Sequence, residues 1–203
     1  MRRILETTGA TSYACYISGS NNFRYTIYPE YKANRKGKPD PIYRQDANAY
    51  LVTEYQATVT DGYEADDGIG IEATRLFAQG SDFTIATIDK DLNMLPGLHY
   101  NWRKNEFLDV SPVDGLRSFY RSILTGDATD NIPGVGGIGP VKSARIINDL
   151  TDEIDMYEAV EAMYTDKERM VRNAQCLWIL REPDTLWGPP ESTKRSEEDT
   201  RTI

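Results

Sequence analysis

The stretch that decides the fold reads Gly126-Asp127-Ala128-Thr129-Asp130-Asn131-Ile132-Pro133-Gly134-Val135-Gly136-Gly137-Ile138-Gly139-Pro140. It places two aspartates three residues apart, directly ahead of a glycine-rich run. A helix is predicted to begin at Val141, and its free backbone N–H groups and dipole would favour a phosphate. Lys142 in its first turn opposes the helix dipole but suits a phosphate contact. A plain tight turn is the alternative, because glycine and proline also mark ordinary loops.

Paired carboxylates recur at two earlier points in the chain. Gly62-Tyr63-Glu64-Ala65-Asp66-Asp67-Gly68 opens a predicted helix over residues 64–79, in which Glu64 and Asp67 share a face and Asp66 points elsewhere. Asp89 and Asp91 follow a strand predicted over residues 83–88, and they project to one side of the sheet if that strand continues through both. Each pair alone also fits a plain structural role, as a helix-dipole partner, a polar strand end or an Asx turn.

The coincidence of these acidic pairs points to a metal. Clustered carboxylates raise one another's pKa unless a hard cation neutralises them. Two divalent ions roughly 4 Å apart could orient a water and stabilise an in-line phosphoryl displacement. His99 is the only histidine, which excludes paired-histidine zinc sites and makes a histidine-based triad hard to build. We therefore expect a two-metal site that takes Mg²⁺ or Mn²⁺.

The composition is that of a globular protein with an acidic surface. The 203 residues fit one domain, expected over residues 1–188, with a disordered tail over residues 189–203. No apolar run approaches the roughly 18 residues needed to cross a bilayer, and no secretory leader is evident, so we expect a cytoplasmic protein without a membrane partner. The net charge of −9 argues against a nucleic-acid partner. A local basic strip between residues 24 and 38 nevertheless allows nucleic-acid binding on an acidic protein.

Strands alternate with helices along the chain, which indicates an α/β fold with a partly parallel sheet. Further strands are predicted over residues 13–17, 100–102 and 107–110, the last two as a hairpin. Further helices are predicted over residues 47–58, 112–124, 141–149, 154–164 and 167–180. In such sheets ligands bind beyond the carboxyl ends of the strands, where Asp89 and Asp91 lie.

Taken together, Glu64-Ala65-Asp66-Asp67, Thr87-Ile88-Asp89-Lys90-Asp91-Leu92 and the stretch from Gly126 to Pro140 closely resemble the phage-type 5′→3′ exonuclease and flap endonuclease family. That family includes the 5′-nuclease domain of bacterial DNA polymerase I. Tyr31-Lys32-Ala33-Asn34-Arg35 is similar to the basic segment that precedes the family's acidic motifs. The likeness covers about residues 10 to 185.

The resemblance implies a PIN-like α/β core and a helix–hairpin–helix type module at about residues 120–150. It implies hydrolysis of DNA at 5′ ends or flaps, with a 5′-phosphate as product and with Lys32 and Arg35 on the reacting phosphate. By the same likeness, divalent metal is held by Glu64, Asp66, Asp67, Asp89, Asp91, Asp127 and Asp130. The predicted DNA contacts are Arg24, Tyr31, Val135, Gly136, Gly137, Ile138, Gly139 and Lys142, with a K⁺ ion bridging the glycine loop to phosphate.

The chain departs from the family pattern at its beginning. The expected first strand with its aspartate is absent before Arg3, and Ser18-Gly19-Ser20-Asn21-Asn22 stands where a second aspartate is expected. One expectation is that a second polypeptide supplies the strand; another is a truncated reading frame. The remaining alternatives are a non-catalytic binder of branched or 5′-ended DNA, and an interaction protein whose acidic surface contacts a partner.

Overall fold

Strands and helices alternate in the first half of the chain and helices dominate the second half. The computed structural model describes residues 1–191. Its helices are α1 (Arg2–Thr8), α2 (Arg24–Ile27), α3 (Arg44–Tyr55), α4 (Ala65–Ala78), α5 (Pro112–Thr125), α6 (Pro140–Ile147), α7 (Glu153–Glu161) and α8 (Lys167–Leu177). Its strands are β1 (Tyr16–Ser18), β2 (Thr58–Thr60), β3 (Thr84–Ala86), β4 (Gly97–Asn101), β5 (Glu106–Val110), β6 (Gly126–Asp127) and β7 (Ile132–Pro133). Short 3-10 turns occupy Ala33–Arg35 and Asp91–Met94.

The strands form parallel pairs, as the alternation of strands and helices predicts. β1 pairs with β2 in parallel, with Ile17 opposite Val59, and β3 pairs with β4 in parallel, with Ile85 opposite His99. β5 adds to β4 as the predicted antiparallel hairpin. Helix α4 connects β2 to β3 and packs on β1, so the chain has the mixed α/β architecture that the sequence predicts.

Two glycines in α4 bring this helix close to its neighbours. A Cβ atom at Gly68 would lie 2.7 Å from the ring of Tyr16, and one at Gly70 would lie 2.4 Å from the carbonyl oxygen of Leu180. Both distances are too short for any side chain. The absence of side chains at these positions therefore lets the start of α4, which carries the first acidic motif, sit against β1 and the segment after α8.

The core is built around α5. Ser111 caps this helix by accepting a hydrogen bond from the Asp114 backbone N–H, and Pro112 occupies its first turn. Its inner face buries Phe119, Tyr120, Ile123 and Leu124, and burial of each large apolar side chain contributes about 1.5–3 kcal/mol. Helices α6, α7 and α8 complete this cluster, chiefly through Ile147, Met156, Val160, Met170 and Ala174.

One expectation about the acidic motifs was wrong in its geometry, because Asp89 and Asp91 do not project from a continuing strand. Strand β3 ends at Ala86, so Asp89 and Asp91 lie in a turn, where the Asp91 backbone N–H donates to Asp89 Oδ1 at 2.9 Å. Asp127 and Asp130 belong to the hairpin of β6 and β7, where Asp127 Oδ1 accepts from the Thr129 backbone N–H at 2.7 Å, which is the Asx turn given as the alternative.

Smaller differences concern element ends. The first strand begins at Tyr16, three residues later than predicted, and α3 begins and ends three residues earlier than its predicted bounds. Most of the predicted disordered tail, residues 192–203, lies outside the described residues. No helix within residues 1–191 combines the length and apolar character needed to cross a membrane.

Candidate functional site

The basic segment after α2 is docked on the acidic hairpin, although about a hundred residues separate them in sequence. The Lys32 backbone N–H donates to the Asp130 carbonyl at 2.9 Å, and Asn34 Nδ2 donates to the Ala128 carbonyl at 2.7 Å. Arg35 reaches both the Thr129 carbonyl, at 3.2 Å, and Asp130 Oδ1, at 2.6 Å. These contacts fix the predicted phosphate-binding cations beside the third acidic motif.

Lys32 stands between two acidic motifs. Its ammonium group is bonded to Glu64 Oε1 and lies 3.6 Å from Asp130 Oδ2. Only 16% of the Lys32 side chain is exposed, so this charge is shielded from water. A positive φ of 54° at Lys32 shows that the backbone adopts the left-handed conformation to place it there. Lys32 is therefore an internal counter-ion for Glu64 and Asp130.

Carboxylates from all three motifs interact electrostatically with one another. Burial, and then the neighbouring Asp89 carboxylate, raises the pKa of Asp66 to about 6. Burial, followed by Asp89 and Asp127, raises the pKa of Asp91 to about 6. Burial also raises the pKa of Asp130, even though Tyr31 and Lys32 act in the opposite direction. We call Asp66, Asp89, Asp91, Asp127 and Asp130 the acidic cluster.

Asp67 does not belong to the acidic cluster, which corrects its prediction as a metal ligand. Its carboxylate is fully buried and is held by both Nη atoms of Arg24, at 2.6 and 2.8 Å. It also accepts hydrogen bonds from the backbone N–H groups of Glu64 and Leu180. Glu64 and Asp67 do share a face of α4, as expected, because they form a reciprocal capping box, and Asp66 points elsewhere, toward the other carboxylates. No acceptor site of Asp67 remains for a metal.

The same pair corrects the prediction that Arg24 contacts DNA. Arg24 is only 3% exposed, and its Nε and Nη2 also donate to the carbonyls of Cys176 and Trp178. The bond to Asp67 raises the pKa of Arg24 although burial opposes its charge. Arg24 thus joins α2, α4 and the end of α8, and it has no access to a ligand.

Tyr31 cannot stack on a base as predicted, because it is 1% exposed. Its hydroxyl lies 2.7 Å from Asp130 Oδ2 and 3.3 Å from Glu64 Oε2. Burial and the Glu64 carboxylate hold the pKa of Tyr31 far above its ordinary value, so the hydroxyl stays protonated and donates. Tyr31 therefore orients the same two carboxylates that Lys32 neutralises.

The glycine-rich run forms a loop that packs against the core through two residues and exposes three of its glycines. Val135 and Ile138 pack against the core, and their backbone N–H groups are used internally, by the carbonyls of Leu124 and Val135. Gly136, Gly137 and Gly139 have open space where a side chain would lie, and all are exposed. Lys142 at the start of α6 folds back to donate to the Gly137 carbonyl at 2.8 Å. Among the residues of this loop that were predicted to contact DNA, Gly136, Gly137 and Gly139 are therefore the exposed ones.

The donor set of the acidic cluster suits a hard divalent cation. It offers carboxylate oxygens only, and burial with mutual repulsion keeps the pKa of Asp66 and Asp91 raised, so the cluster holds more negative charge than nearby cations neutralise. Within residues 1–191, no three histidine, cysteine or carboxylate side chains are drawn together into a ready-made metal centre. Metal binding would therefore require these side chains to close on the ion.

Some positioning residues could not be found from the sequence. Asn22 donates to Glu64 Oε1 at 2.8 Å, and Ser18 accepts from the Ala65 backbone N–H at 2.9 Å. Both lie in the segment where a family carboxylate was expected. They are isolated polar residues, Ser18 at the end of β1 and Asn22 in the segment that follows, and only their long-range contacts identify them as supports of the first acidic motif.

Curated relatives of the chain are nucleases and polymerases. It is 31% identical over 171 residues to a 5′-3′ exonuclease of Buchnera aphidicola, a match that covers 78% of the chain and 60% of the relative. It is 31% identical over 162 residues to a DNA polymerase I of Rhizobium leguminosarum, which covers 74% of the chain and 16% of the relative. A flap endonuclease Xni of Colwellia psychrerythraea is 28% identical over 176 residues, 81% of the chain and 61% of the relative. The chain therefore spans less than two thirds of these proteins.

Among solved structures, the fold is similar to that of the T5 D15 protein co-crystallised with metal ions. The TM-score is 0.69 at 18% identity, over 87% of this chain and 79% of the T5 chain. At this identity the likeness establishes the fold.

A second polypeptide that completes the sheet, one of the sequence expectations, finds no support in these comparisons. The match to a family, by contrast, covers more than half of the chain. It extends over residues 1–111 and includes the first two acidic motifs. The chain belongs to the family described as 5′-3′ exonuclease, N-terminal resolvase-like domain.

Proposed function

We propose that this chain is a divalent-metal-dependent 5′ nuclease that hydrolyses DNA phosphodiesters at 5′ ends or flaps. The observation that carries the proposal is the convergence of the acidic cluster from three distant motifs, next to Lys32 and Arg35. Names of the curated relatives, 5′-3′ exonuclease and flap endonuclease, support the same class of reaction.

In the proposed reaction, a water oxygen bonds to the phosphorus, the bond to the 3′ oxygen breaks, and that oxygen takes up a proton. Mg²⁺ or Mn²⁺ would be held by the acidic cluster with Glu64 at its margin. A bound divalent ion supplies an acidified water and stabilises charge on the phosphoryl oxygens. Asp67 is left out of this set because Arg24 occupies it.

The chain's own cations would position the reacting phosphate. Arg35 has 47% of its side chain exposed beside Asp130, so its guanidinium can contact Asp130 and a phosphate oxygen together. Lys32 is more enclosed, and we assign it to holding Glu64 and Asp130 in place while its charge faces the phosphate. Both roles require the docking of the basic segment on the acidic hairpin.

The loop of residues 134–139, between α5 and α6, would bind the DNA backbone. We propose that it forms a helix–hairpin–helix type module with these helices. The exposed glycines let a phosphate approach the backbone N–H groups closely, and Lys142 at the start of α6 adds positive charge. We also propose a K⁺ ion that bridges this loop to phosphate. A single domain over residues 1–188 and a cytoplasmic location are likewise proposals.

The test is cleavage of a 5′-labelled flap substrate in Mg²⁺ or Mn²⁺ by the wild-type chain and two variants. Asp127→Asn and Asp89→Asn should lower the rate roughly a hundredfold or more, since each removes charge from the reacting centre. Binding to the same substrate in EDTA should stay within a few-fold. Asp149→Asn, at an exposed position after α6, is the matched control. Full activity of both cluster variants would refute the assignment.

A second candidate is a binder of branched or 5′-ended DNA that does not cleave. The observation that favours it is the absence, within residues 1–191, of a ready-made group of three metal ligands, together with the Lys32 ammonium between Glu64 and Asp130. The flap assay separates the two candidates. Binding without turnover in either metal would establish the second.

A further inference from the structure

Two arginines on α8 lack acidic partners in the part of the chain that the structure describes. Arg169 and Arg172 are three residues apart, so they share one face of the helix, and both line an open groove of about 620 Å³. Neither forms an ion pair within residues 1–191, and the Nε atom of each is buried without a hydrogen-bond partner there. Their charge is therefore available to a ligand.

Aromatic rings hold both guanidinium groups in place. The Arg172 Cζ atom lies 4.4 Å from the centroid of the Tyr28 ring, and the Arg169 Cζ atom lies 5.3 Å from that of Tyr164. Both tyrosines are buried, so the rings themselves are fixed. Stacking of this kind orients a guanidinium without consuming its N–H donors. The arginines are pre-organised, and little conformational entropy would be lost when they bind.

Few donors of the two groups are used inside the protein. Arg169 Nη2 donates to the Gly134 carbonyl at 3.2 Å, and Arg172 Nη2 makes one long contact, 3.3 Å, to Asn173 Oδ1. A guanidinium has five donors in a planar fork that matches phosphate oxygens. Most of the donors are thus left for an anion.

The two arginines contact residues that adjoin both surfaces already proposed to bind nucleic acid. Arg169 is bonded to Gly134, the first residue of the glycine-rich loop, and Tyr28 belongs to the turn that leads into Tyr31 and Lys32. The acidic groups beside the arginines are Asp166 and Glu168 on α8 and Glu30 after α2. Asp166 accepts from the Arg169 backbone N–H as the N-cap of α8, and the Glu30 carboxylate contacts the Tyr28 hydroxyl at 3.3 Å. None of these three carboxylates forms an ion pair with an arginine within residues 1–191.

We propose that Arg169 and Arg172 form a second phosphate-binding surface, which holds the backbone of duplex DNA between the glycine-rich loop and the basic segment. This inference rests on the proposed function for its class of ligand. It extends the path of the nucleic acid onto α8, beyond every residue that the sequence motifs identify.

The test is the salt dependence of DNA binding, measured by fluorescence anisotropy with a labelled duplex in EDTA. Arg169→Gln/Arg172→Gln keeps the aliphatic stems against the tyrosines and removes both charges. Each phosphate contact contributes about 0.9 to the slope of log K against log salt, so the slope should become shallower by about 1.8. Affinity at moderate salt should fall roughly tenfold or more.

Two controls separate phosphate binding from a structural role or a change in net charge. Arg103→Gln, at an exposed position between β4 and β5, should leave the slope unchanged. Arg169→Lys/Arg172→Lys keeps the charges, so it should keep the slope even where the stacking is weakened. A slope unchanged in the glutamine variant, or changed equally by Arg103→Gln, would overturn the inference.

The outcome is independent of the cleavage assay. If the wild-type chain cleaves and the glutamine variant keeps the wild-type slope, the α8 surface is wrong and the nuclease assignment stands. If the slope changes but no substitution in the acidic cluster affects cleavage, the surface stands and the assignment fails. Absence of duplex binding by the wild-type chain would refute the α8 surface, and the cleavage assay would still decide the nuclease assignment.

Discussion

Asp66 and Asp67 are neighbours in sequence, yet the structure puts them in opposite environments. Asp67 is fully buried, and its charge is matched by Arg24 and by two backbone N–H groups. Asp66 faces other carboxylates, and its pKa is raised by burial and by Asp89. One carboxylate is neutralised from inside the protein, whereas the other is left for a cation from outside. The difference shows that an acidic motif combines a structural group and a ligand, which only the contacts distinguish.

The largest effect is expected at the internal pair. Arg24→Met leaves the Asp67 charge buried without its partner, so the free energy of unfolding should fall by about 3–5 kcal/mol. Urea unfolding in EDTA measures this loss. Arg75→Met, which breaks the exposed pair with Glu72, should cost less than about 1 kcal/mol and serves as control. Equal losses in both variants would remove the distinction between the two regions.

The next effect is expected from the external cation. Mg²⁺ at about a hundred times its dissociation constant should raise the free energy of unfolding by about 2.7 kcal/mol, because it binds the folded cluster. Asp89→Asn/Asp127→Asn should lose most of this gain at the same Mg²⁺ concentration, and Asp149→Asn should keep it. Thermal unfolding with and without Mg²⁺ provides the measurement. A gain that survives in the double variant would place the ion elsewhere.

A smaller effect is expected at Lys32, which neutralises part of the acidic site from within. Lys32→Met should lower the free energy of unfolding in EDTA by about 1.5 kcal/mol, since it removes hydrogen bonds between charged groups. It should also enlarge the stabilisation by Mg²⁺, because Glu64 and Asp130 then lack a counter-ion. Lys36→Met, at an exposed position nearby, should do neither. Urea unfolding in both conditions would show whether the lysine and the metal act on the same charges.

The smallest effect has the opposite sign. Asp66→Asn should raise the free energy of unfolding in EDTA by about 1 kcal/mol at pH 7, because it removes a charge from a repulsive cluster. The folded protein holds the Asp66 proton more tightly than the unfolded chain, so the wild-type contribution falls as the pH rises from about 4, the ordinary pKa, to about 6. The advantage of the variant should therefore vanish at pH 4. Asp67→Asn should lower the free energy of unfolding at pH 7. A change of the same sign in both variants would contradict the difference between Asp66 and Asp67.

The sequence predicted the elements well because their signals are local. The hydrophobic spacing of α5 and the turn between β4 and β5 both act within a few residues. The acidic motifs were also identified locally, by the density of carboxylates. Which of those carboxylates face one another depends on the packing of distant segments, so the sequence could not exclude Asp67.

The same limit explains the errors at Arg24 and Tyr31. Both lie in a basic, aromatic segment whose composition is typical of a surface, and both are buried by α4, α8 and the hairpin of β6 and β7. For Arg169 and Arg172 the error is the opposite one, because nothing in the sequence indicated a binding role for them. In the sequence they belong to an ordinary charged helix, and only the tyrosines from other segments reveal their fixed orientation.

The contact between Gly126 and Gly134 joins strand β6 directly to the start of the glycine-rich loop. A Cβ atom on either residue would lie within 2.3 Å of the other segment's backbone, so the two strands touch with nothing between them. Asp127 adjoins one of these glycines, and the loop proposed to bind DNA begins at the other. If this loop binds the duplex as proposed, direct main-chain contact would fix its distance from Asp127 and the acidic cluster. The position of the cut relative to the bound duplex would then be constant.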